Sequence, residues 1–300
     1  MTGLTVKRLD KRIDGKQVLR QIGFQLQAGE IVGLVGRNGA GKTTLFQTLT
    51  HQYIADGGVV LVDDQDTVQH PELRAQIVFI NGQNLFFGHY TLARLADFYQ
   101  QAYPQFDAQR YTQLLQEHQL NAKRSFGELS KGFQALVCIF LALASGTPYV
   151  LLDEPFDGLD VIVREQIVQL VIAEVAQRRT TFLIASHNLE ELDGLADRVL
   201  FLKGGTITHD YRLEELRQHA IKLQLVFPVG KVPAVVQSAG TIIATQGRVL
   251  TVVFANYTAQ IEAAVAAAQP VLQDELPLTL VDLFKAEYIH PKNEEVLQNA

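Results

Sequence analysis

Eight consecutive residues, Gly36-Arg37-Asn38-Gly39-Ala40-Gly41-Lys42-Thr43, interleave three glycines with a lysine and a hydroxyl, and a second threonine, Thr44, follows. The spacing fits G-x-x-x-x-G-K-[ST], a loop whose backbone N–H groups turn inward around phosphate oxygens. Glycine permits that turn because it has no Cβ to obstruct it. A helix opening at Thr43 would add the positive end of its dipole. Lys42 is then placed to reach the β- and γ-phosphates of a nucleoside triphosphate, and the Thr43 hydroxyl to ligate Mg²⁺. Further along, Tyr149-Val150-Leu151-Leu152-Asp153-Glu154-Pro155 is an apolar run ending in two acids. At the carboxyl edge of a parallel sheet those acids face the ligand crevice. Asp153 can hold Mg²⁺ through water, and Glu154 can polarise an attacking water.

These residues need a scaffold, and the surrounding pattern supplies one. Short β-rich runs alternate with helical stretches over the first two-thirds of the chain, which reads as α/β with a largely parallel sheet. Strands are expected at Ile31–Val35, which feeds the glycine loop, and at Gln76–Ile80, Tyr149–Asp153, Thr181–Ala185 and Arg198–Leu202. The phosphate loop thus has its required context of strand before and helix (Thr43–Leu49) after. Between the strands expected at Gln76–Ile80 and Tyr149–Asp153 lies a helical insertion with apolar residues at helical spacing in Thr91–Ala102 and Asp107–His118, broken at Tyr103-Pro104. After about residue 219 the texture changes. Strand, helix, two strands, helix and strand follow in the order βαββαβ, that of a ferredoxin-like split βαβ unit. Thr279–Tyr288 is expected as a closing helix.

Bulk composition narrows the partners. Of 300 residues, 47% are hydrophobic and 19% charged, with a net charge of −6, so a substantial core is available and the basic face needed for bulk nucleic-acid binding is not. The single cysteine, Cys138, excludes an internal disulfide and fits a reducing compartment; its apolar surroundings read as a buried small hydrophobe. No run approaches the roughly 18–20 apolar residues that span a bilayer. The expected location is cytoplasmic, with any membrane role exercised through a partner.

The chain resembles an ABC (ATP-binding cassette) ATPase. Gly36–Thr44, Leu129-Ser130-Lys131-Gly132-Phe133, Asp153-Glu154-Pro155, Gly158-Leu159-Asp160 and Ser186-His187 stand in that family's order, over about residues 4–208. The resemblance implies a P-loop NTPase fold, ATP and Mg²⁺ as ligands, and ATP hydrolysis. It also implies that residues Gly36 through Thr44 form the Walker A loop, and that Ser130 and the Gly132 N–H close on the nucleotide held by a second copy or a paralogous subunit. Asp160 resembles the loop residue that communicates across such a pair, and His187 the histidine that contacts the γ-phosphate and helps place Glu154. The implied organisation is an ATPase domain at 1–218 with a helical subdomain near 88–146, an accessory α+β domain at 219–290 and a tail at 291–300. The implied partner is a membrane-spanning permease, with the chain peripheral on the cytoplasmic face of the membrane.

Departures from the pattern are specific. Lys131 and Phe133 replace the commoner Gly and Gln of the signature. Spacing puts Ile13 where an adenine-stacking aromatic usually lies, and Ile13 offers apolar contact without a π face. The expected Q-loop glutamine falls at Gly82, which makes Gln83 the candidate Mg²⁺ contact. The stretch Phe98-Tyr99-Gln100-Gln101-Ala102-Tyr103-Pro104-Gln105-Phe106-Asp107 resembles a bacterial branch of single-domain exporter ATPases, which implies export. The alternatives are a non-transport ABC ATPase acting on ribosomes or DNA, disfavoured by the single cassette, the missing coiled coils and the acidic charge, and a sensing ATPase bound to a transporter-like membrane protein.

Overall fold

The structure is a computed structural model, and it describes residues 3–81, 87–228 and 232–289. The chain divides into two compact units, Met1–Asp210 and Tyr211–Ala300. The division precedes the 218/219 boundary read from the sequence, because the short helix before residue 220 falls in the second unit.

The first unit begins with β1 (Gly3–Ile13), β2 (Lys16–Gln27), β3 (Ile31–Val35), α1 (Lys42–Leu49), β4 (Gly57–Val62), β5 (Gln65–Asp66) and β6 (Ile77–Asn81). The helical insertion follows as α2 (Leu92–Ala102), α3 (Ala108–Glu117) and α4 (Lys131–Ala144). Then come β7 (Tyr149–Asp153), α5 (Val161–Arg178), β8 (Thr181–Ser186), β9 (Arg198–Lys203) and β10 (Thr206–Arg212). The strands form two sheets, one of order β2-β1-β4-β5 with antiparallel neighbours and one of order β10-β9-β3-β8-β7-β6. In the second sheet, β9, β3, β8, β7 and β6 run parallel. Each residue of β3, β7 and β8 is buried, as continuous apolar runs covered on both faces should be.

Helix α1 is the filling between the sheets. Leu45, Phe46 and Leu49 on it join Leu4, Leu9, Leu19 and Ile22 of the antiparallel sheet and Leu34, Leu151 and Leu183 of the parallel one in a single core. Burying such side chains stabilises by about 1.5–3 kcal/mol each before chain entropy is counted. Helix α4 is apolar nearly all round, and Leu136 through Ala144 are buried. It ends at Ser145 because Gly146 adopts a φ of 68°, and a Cβ there would stand 2.8 Å from the Gln105 carbonyl.

The second unit contains α6 (Leu213–His219), β11 (Ile221–Val226), α7 (Ala234–Ala239), β12 (Thr241–Gln246), β13 (Val249–Phe254), α8 (Ala259–Ala267), β14 (Leu272–Leu276) and α9 (Leu280–Ile289). Its sheet runs β12-β13-β11-β14, with antiparallel neighbours throughout. That order interleaves two βαβ crossovers, the split arrangement expected from the sequence. Leu223, Leu225, Val252 and Phe254 on one face pack with Val236 of α7 and Val265 of α8.

Candidate nucleotide site

Strand register brings the chemical residues together. Val35 pairs with Ser186, Ala185 with Asp153, and Asp153 with Asn81, so β3, β8, β7 and β6 end at one level. The residues just beyond those ends are Gly36, His187 and Glu154. The edge where parallel strands deliver their carboxyl ends is where such sheets bind ligands.

The loop from Gly36 to Gly41 wraps this edge. Gly36 is pressed against β9: a Cβ there would lie 2.7 Å from the Leu202 carbonyl oxygen. Gly39 and Gly41 have φ of 80° and 106°, in the left-handed region where a side chain is strained. Gly41 caps α1 and contributes no side chain, so the first N–H groups of that helix are left for a ligand. The Ala40 N–H closes the turn on the Arg37 carbonyl at 3.0 Å. Arg37, Asn38, Gly39, Lys42, Thr43 and Thr44 all line a cleft of about 690 Å³. Ile13 and Val18 supply apolar wall to the same cleft.

Lys42 is buried and its Nζ donates to the Gly36 carbonyl at 2.6 Å. The same ammonium lies 3.0 Å from Glu154 Oε1. The other oxygen, Glu154 Oε2, accepts from His187 Nδ1 at 2.8 Å and from the His187 backbone N–H at 3.3 Å. Because an ionised carboxylate only accepts, this contact places a proton on Nδ1. Glu154 has a φ of 49°, and its N–H bonds the Ala185 carbonyl at 3.0 Å, which turns the side chain back over the sheet edge.

Asp153 is 5% exposed. Its Oδ2 accepts from the Thr43 hydroxyl at 2.6 Å, whereas its buried Oδ1 has no hydrogen-bond partner among the described residues. Burial raises the Asp153 pKa, and the nearby Glu154 charge adds to the rise, against the Thr43 bond and the Lys42 charge. A buried, unpaired carboxylate oxygen beside a threonine hydroxyl suits Mg²⁺, which takes one or two protein oxygens and completes its shell with phosphate and water. Among the described residues no group of three or more His, Cys, Asp or Glu stands together as a metal cage.

Three expected contacts lie apart from this cleft. Ser130 is exposed and caps α4, its Oγ accepting from the Phe133 N–H at 3.3 Å. Gly132 faces Val163, whose Cγ2 would lie 3.0 Å from an added Cβ. Asp160 caps α5 by accepting from the Ile162 and Val163 N–H groups, both at 3.0 Å. All three are at helix starts, and none lines the cleft formed by their own chain. Gln83 lies outside the described residues.

The cleft also has walls that motif reading did not supply. Asn81, Phe126 and Gln134 line it, together with Lys131 of the signature. Asn81 stands one residue past the expected end of its strand, at the level of Asp153, and the strand register is the signal that finds it. Lys131 Nζ is 3.3 Å from Asp157 Oδ2. Cys138 is buried, which pushes its thiol up to about 12 and leaves it the inert hydrophobe expected.

A family model described as ABC transporter matches residues 19–157. The ABC transporter ATP-binding protein YtrB of Bacillus subtilis (strain 168) is 32% identical over 285 residues, 95% of this chain and 98% of YtrB. A match of that length takes in the unit after Asp210. Among solved structures, an ATP-binding subunit of an ABC transporter superposes with a TM-score of 0.65 at 26% identity, over 72% of this chain and 92% of that one. An ATP-binding cassette described as a dimer in a post-hydrolysis state, bound to ADP and Pi, has the same fold, with a TM-score of 0.62 at 23% identity over 70% of this chain and 98% of that one.

Proposed function

Because the chain belongs to the family of ABC transporter ATP-binding proteins, which bind and hydrolyse ATP, we propose that it couples ATP turnover to transport by a separate membrane-spanning permease. Among the described residues no helix is long and apolar enough to cross a membrane, so the path for substrate is assigned to that partner. The observation that carries this reading is the Lys42–Glu154–His187 chain, set beside the Thr43–Asp153 bond at the ends of β3, β7 and β8.

In the proposed cycle the N–H groups of Gly39–Thr43 and the Lys42 ammonium hold the β- and γ-phosphates, while Ile13 and Val18 cover the base. Thr43 and Asp153, with Gln83, would hold Mg²⁺, which would supply positive charge against the phosphate oxygens. A phosphate entering beside Lys42 competes with Glu154 for that ammonium and frees the carboxylate. Glu154 then orients the attacking water and takes its proton as the bond between the γ-phosphorus and the bridging oxygen breaks. His187 keeps the Glu154 side chain aimed by donating from Nδ1. Ser130, exposed just before α4, and the half-buried Gly132 in its first turn complete the site of a second copy or a paralogous subunit, and Asp160 lies at the same contact. Two ATP molecules are thereby sandwiched between two chains, and closing and opening of that pair drives the permease. The chain acts in the cytoplasm at the membrane face.

The direction we propose is export, on the stretch Phe98–Asp107. Tyr99 stacks on Tyr103 at 5.6 Å and tilts against Phe106 at 6.1 Å, so these aromatics hold the insertion together, while Phe98 is half exposed. Glu154→Gln tests the chemistry: ATP binding is retained, turnover drops by about a hundredfold or more, and nucleotide-bound dimers accumulate on gel filtration. Wild-type turnover in that variant removes Glu154 from the reaction. Flux into inverted vesicles that contain the co-purified membrane protein tests direction.

A further inference from the structure

The loops that carry Glu154 and His187 meet at a side chain with no part in the proposed phosphate contacts. Arg164 stands one turn into α5, and its backbone N–H bonds the Asp160 carbonyl at 3.1 Å. Its guanidinium lies over the Phe156 ring, 5.7 Å from the centroid. Phe156 is buried two residues after Glu154, in a loop folded by the Asp157 N–H on the Glu154 carbonyl and the Leu159 N–H on the Phe156 carbonyl. From the same guanidinium, Nη2 donates to the Glu190 carbonyl at 2.6 Å. Glu190 lies in the short turn that follows His187.

That turn is tied down at several points. The Ser186 hydroxyl donates to Glu191 Oε2 at 2.5 Å, and the Asn188 N–H donates to the Ser186 hydroxyl at 2.9 Å. The Asn188 side chain accepts from the Glu190 N–H at 3.0 Å. Leu192, fully buried, would stand 2.6 Å from a Cβ on Gly33, so the far end of the turn rests on β3. These bonds hold the turn to its own strand and to β3. Beside the direct His187–Glu154 bonds, Arg164 braces this turn against the acid-bearing loop from the α5 side, because a planar guanidinium can stack on a ring and donate in its own plane at the same time.

We propose that Arg164 is a positioning residue for ATP hydrolysis: it clamps the Glu190 turn to the Phe156 loop, and so keeps His187 Nδ1 on the Glu154 carboxylate. The inference rests on the role proposed above for Glu154 and His187. It assigns Arg164 to the catalytic step and to neither nucleotide binding nor folding. Since Arg164 sits one turn after Asp160, it also links the exposed start of α5 to the turn that follows the histidine.

The test is a cycle of Arg164→Ala, His187→Ala and the double variant, with ATPase rates and binding of a non-hydrolysable ATP analogue measured on the full chain. Arg164→Ala is expected to lower kcat on the order of tenfold, the loss that small misplacement of a reacting group produces, with analogue affinity within twofold of wild type. In the His187→Ala background, Arg164→Ala is expected to change kcat by less than twofold, because the group it positions is gone. Arg164→Lys keeps a donor and loses the ring stacking, and should fall between wild type and alanine. If Arg164→Ala folds poorly, Phe156→Leu serves instead, since it removes the ring beneath the guanidinium and should show the same non-additivity with His187→Ala. Full additivity in the cycle, or loss of analogue binding together with kcat, overturns the proposal. Failure of the underlying reading appears separately, as unchanged turnover in Glu154→Gln or in His187→Ala alone.

Discussion

The cleft at the strand ends and the Tyr211–Ala300 unit each bury a carboxylate, and they treat it in opposite ways. Asp282, in the second unit, concentrates its partners on Oδ2: Lys222 Nζ at 2.8 Å, the Thr279 N–H at 3.0 Å and the Thr279 hydroxyl at 2.7 Å. Burial pushes its pKa up, but the Lys222 and Thr279 bonds outweigh that and leave it lowered. Asp153, in the cleft, has one hydroxyl partner and an unpaired buried oxygen, and its pKa is raised. One region satisfies its charge for the sake of its own stability. The other holds its charge ready for something that arrives from outside. The second unit has an unpartnered buried atom of its own, the neutral Tyr257 hydroxyl, but the unpartnered carboxylate oxygen is in the cleft, and a perturbed charged group in a cleft is what marks a working site.

The sharpest way to break this comparison is to remove the cation that faces the unsatisfied region. Lys42→Ala should weaken ATP binding by about a hundredfold or more, since a buried charge-assisted contact to phosphate is lost, while the melting profile of the second unit stays as in wild type; titration calorimetry and differential scanning calorimetry read the two effects. The converse change strikes the satisfied region. Asp282→Ala leaves Lys222 half buried without its partner and should cost the second unit about 2 kcal/mol, visible as a lowered Tm. The sign of its pH dependence follows from the lowered pKa. The carboxylate's contribution is complete above the ordinary carboxylate pKa and disappears as pH falls through the depressed folded value, so wild type and variant should converge in acid.

The smallest effect has the opposite sign. Asp153→Asn removes a buried charge that the free protein leaves poorly compensated, and should raise Tm by about 2–4 °C near neutral pH, the shift that roughly 1 kcal/mol produces in a unit of this size. Because the folded pKa of Asp153 is raised, the wild-type penalty is largest above that value and shrinks as pH falls towards the ordinary carboxylate range, so the gain should shrink with it. Mg²⁺-dependent hydrolysis should be lost in the same variant. A variant that melted lower than wild type would show that Asp153 is a structural carboxylate like Asp282.

Legibility from the sequence divides along similar lines. Tyr149–Asp153 and Val249–Phe254 are strands with the bounds expected, since each is a short apolar run closed by an acid or a turn. The helices expected at Thr91–Ala102 and Asp107–His118 are α2 and α3, each starting one residue later because Thr91 and Asp107 are the N-caps, and α3 ending one residue earlier at Glu117. The antiparallel sheet of the first unit was not legible. Arg8 and Gln21 adopt φ near 48° and 49°, and the β1–β2 register shifts at three places, so the alternation of apolar and polar residues is broken. Helix α5 hides for another reason: Val161 and Ile162 are exposed on it while Ile167 and Val171 are buried, which spreads apolar residues around its circumference. In the site, the phosphate loop and the acid pair are contiguous in sequence and therefore readable. The Lys42–Glu154 pair, the Asn81 wall and the Arg164 bridge depend on which strand lies beside which, and no local pattern records that.

The placement of β8 has a consequence for how the molecule is made. Thr43 and Asp153 touch across 110 positions of sequence, yet β3 and β7 are not neighbours: β8, synthesised after both, lies between them. A nascent chain that has just emitted both halves of the phosphate-binding apparatus cannot yet assemble it. Until residues 181–186 leave the ribosome, β3 and β7 present open, apolar edges, and such edges are the surfaces on which incomplete chains adhere to one another. Nucleotide affinity should therefore appear abruptly in a series of truncated translation products, at the length where the wedge strand emerges.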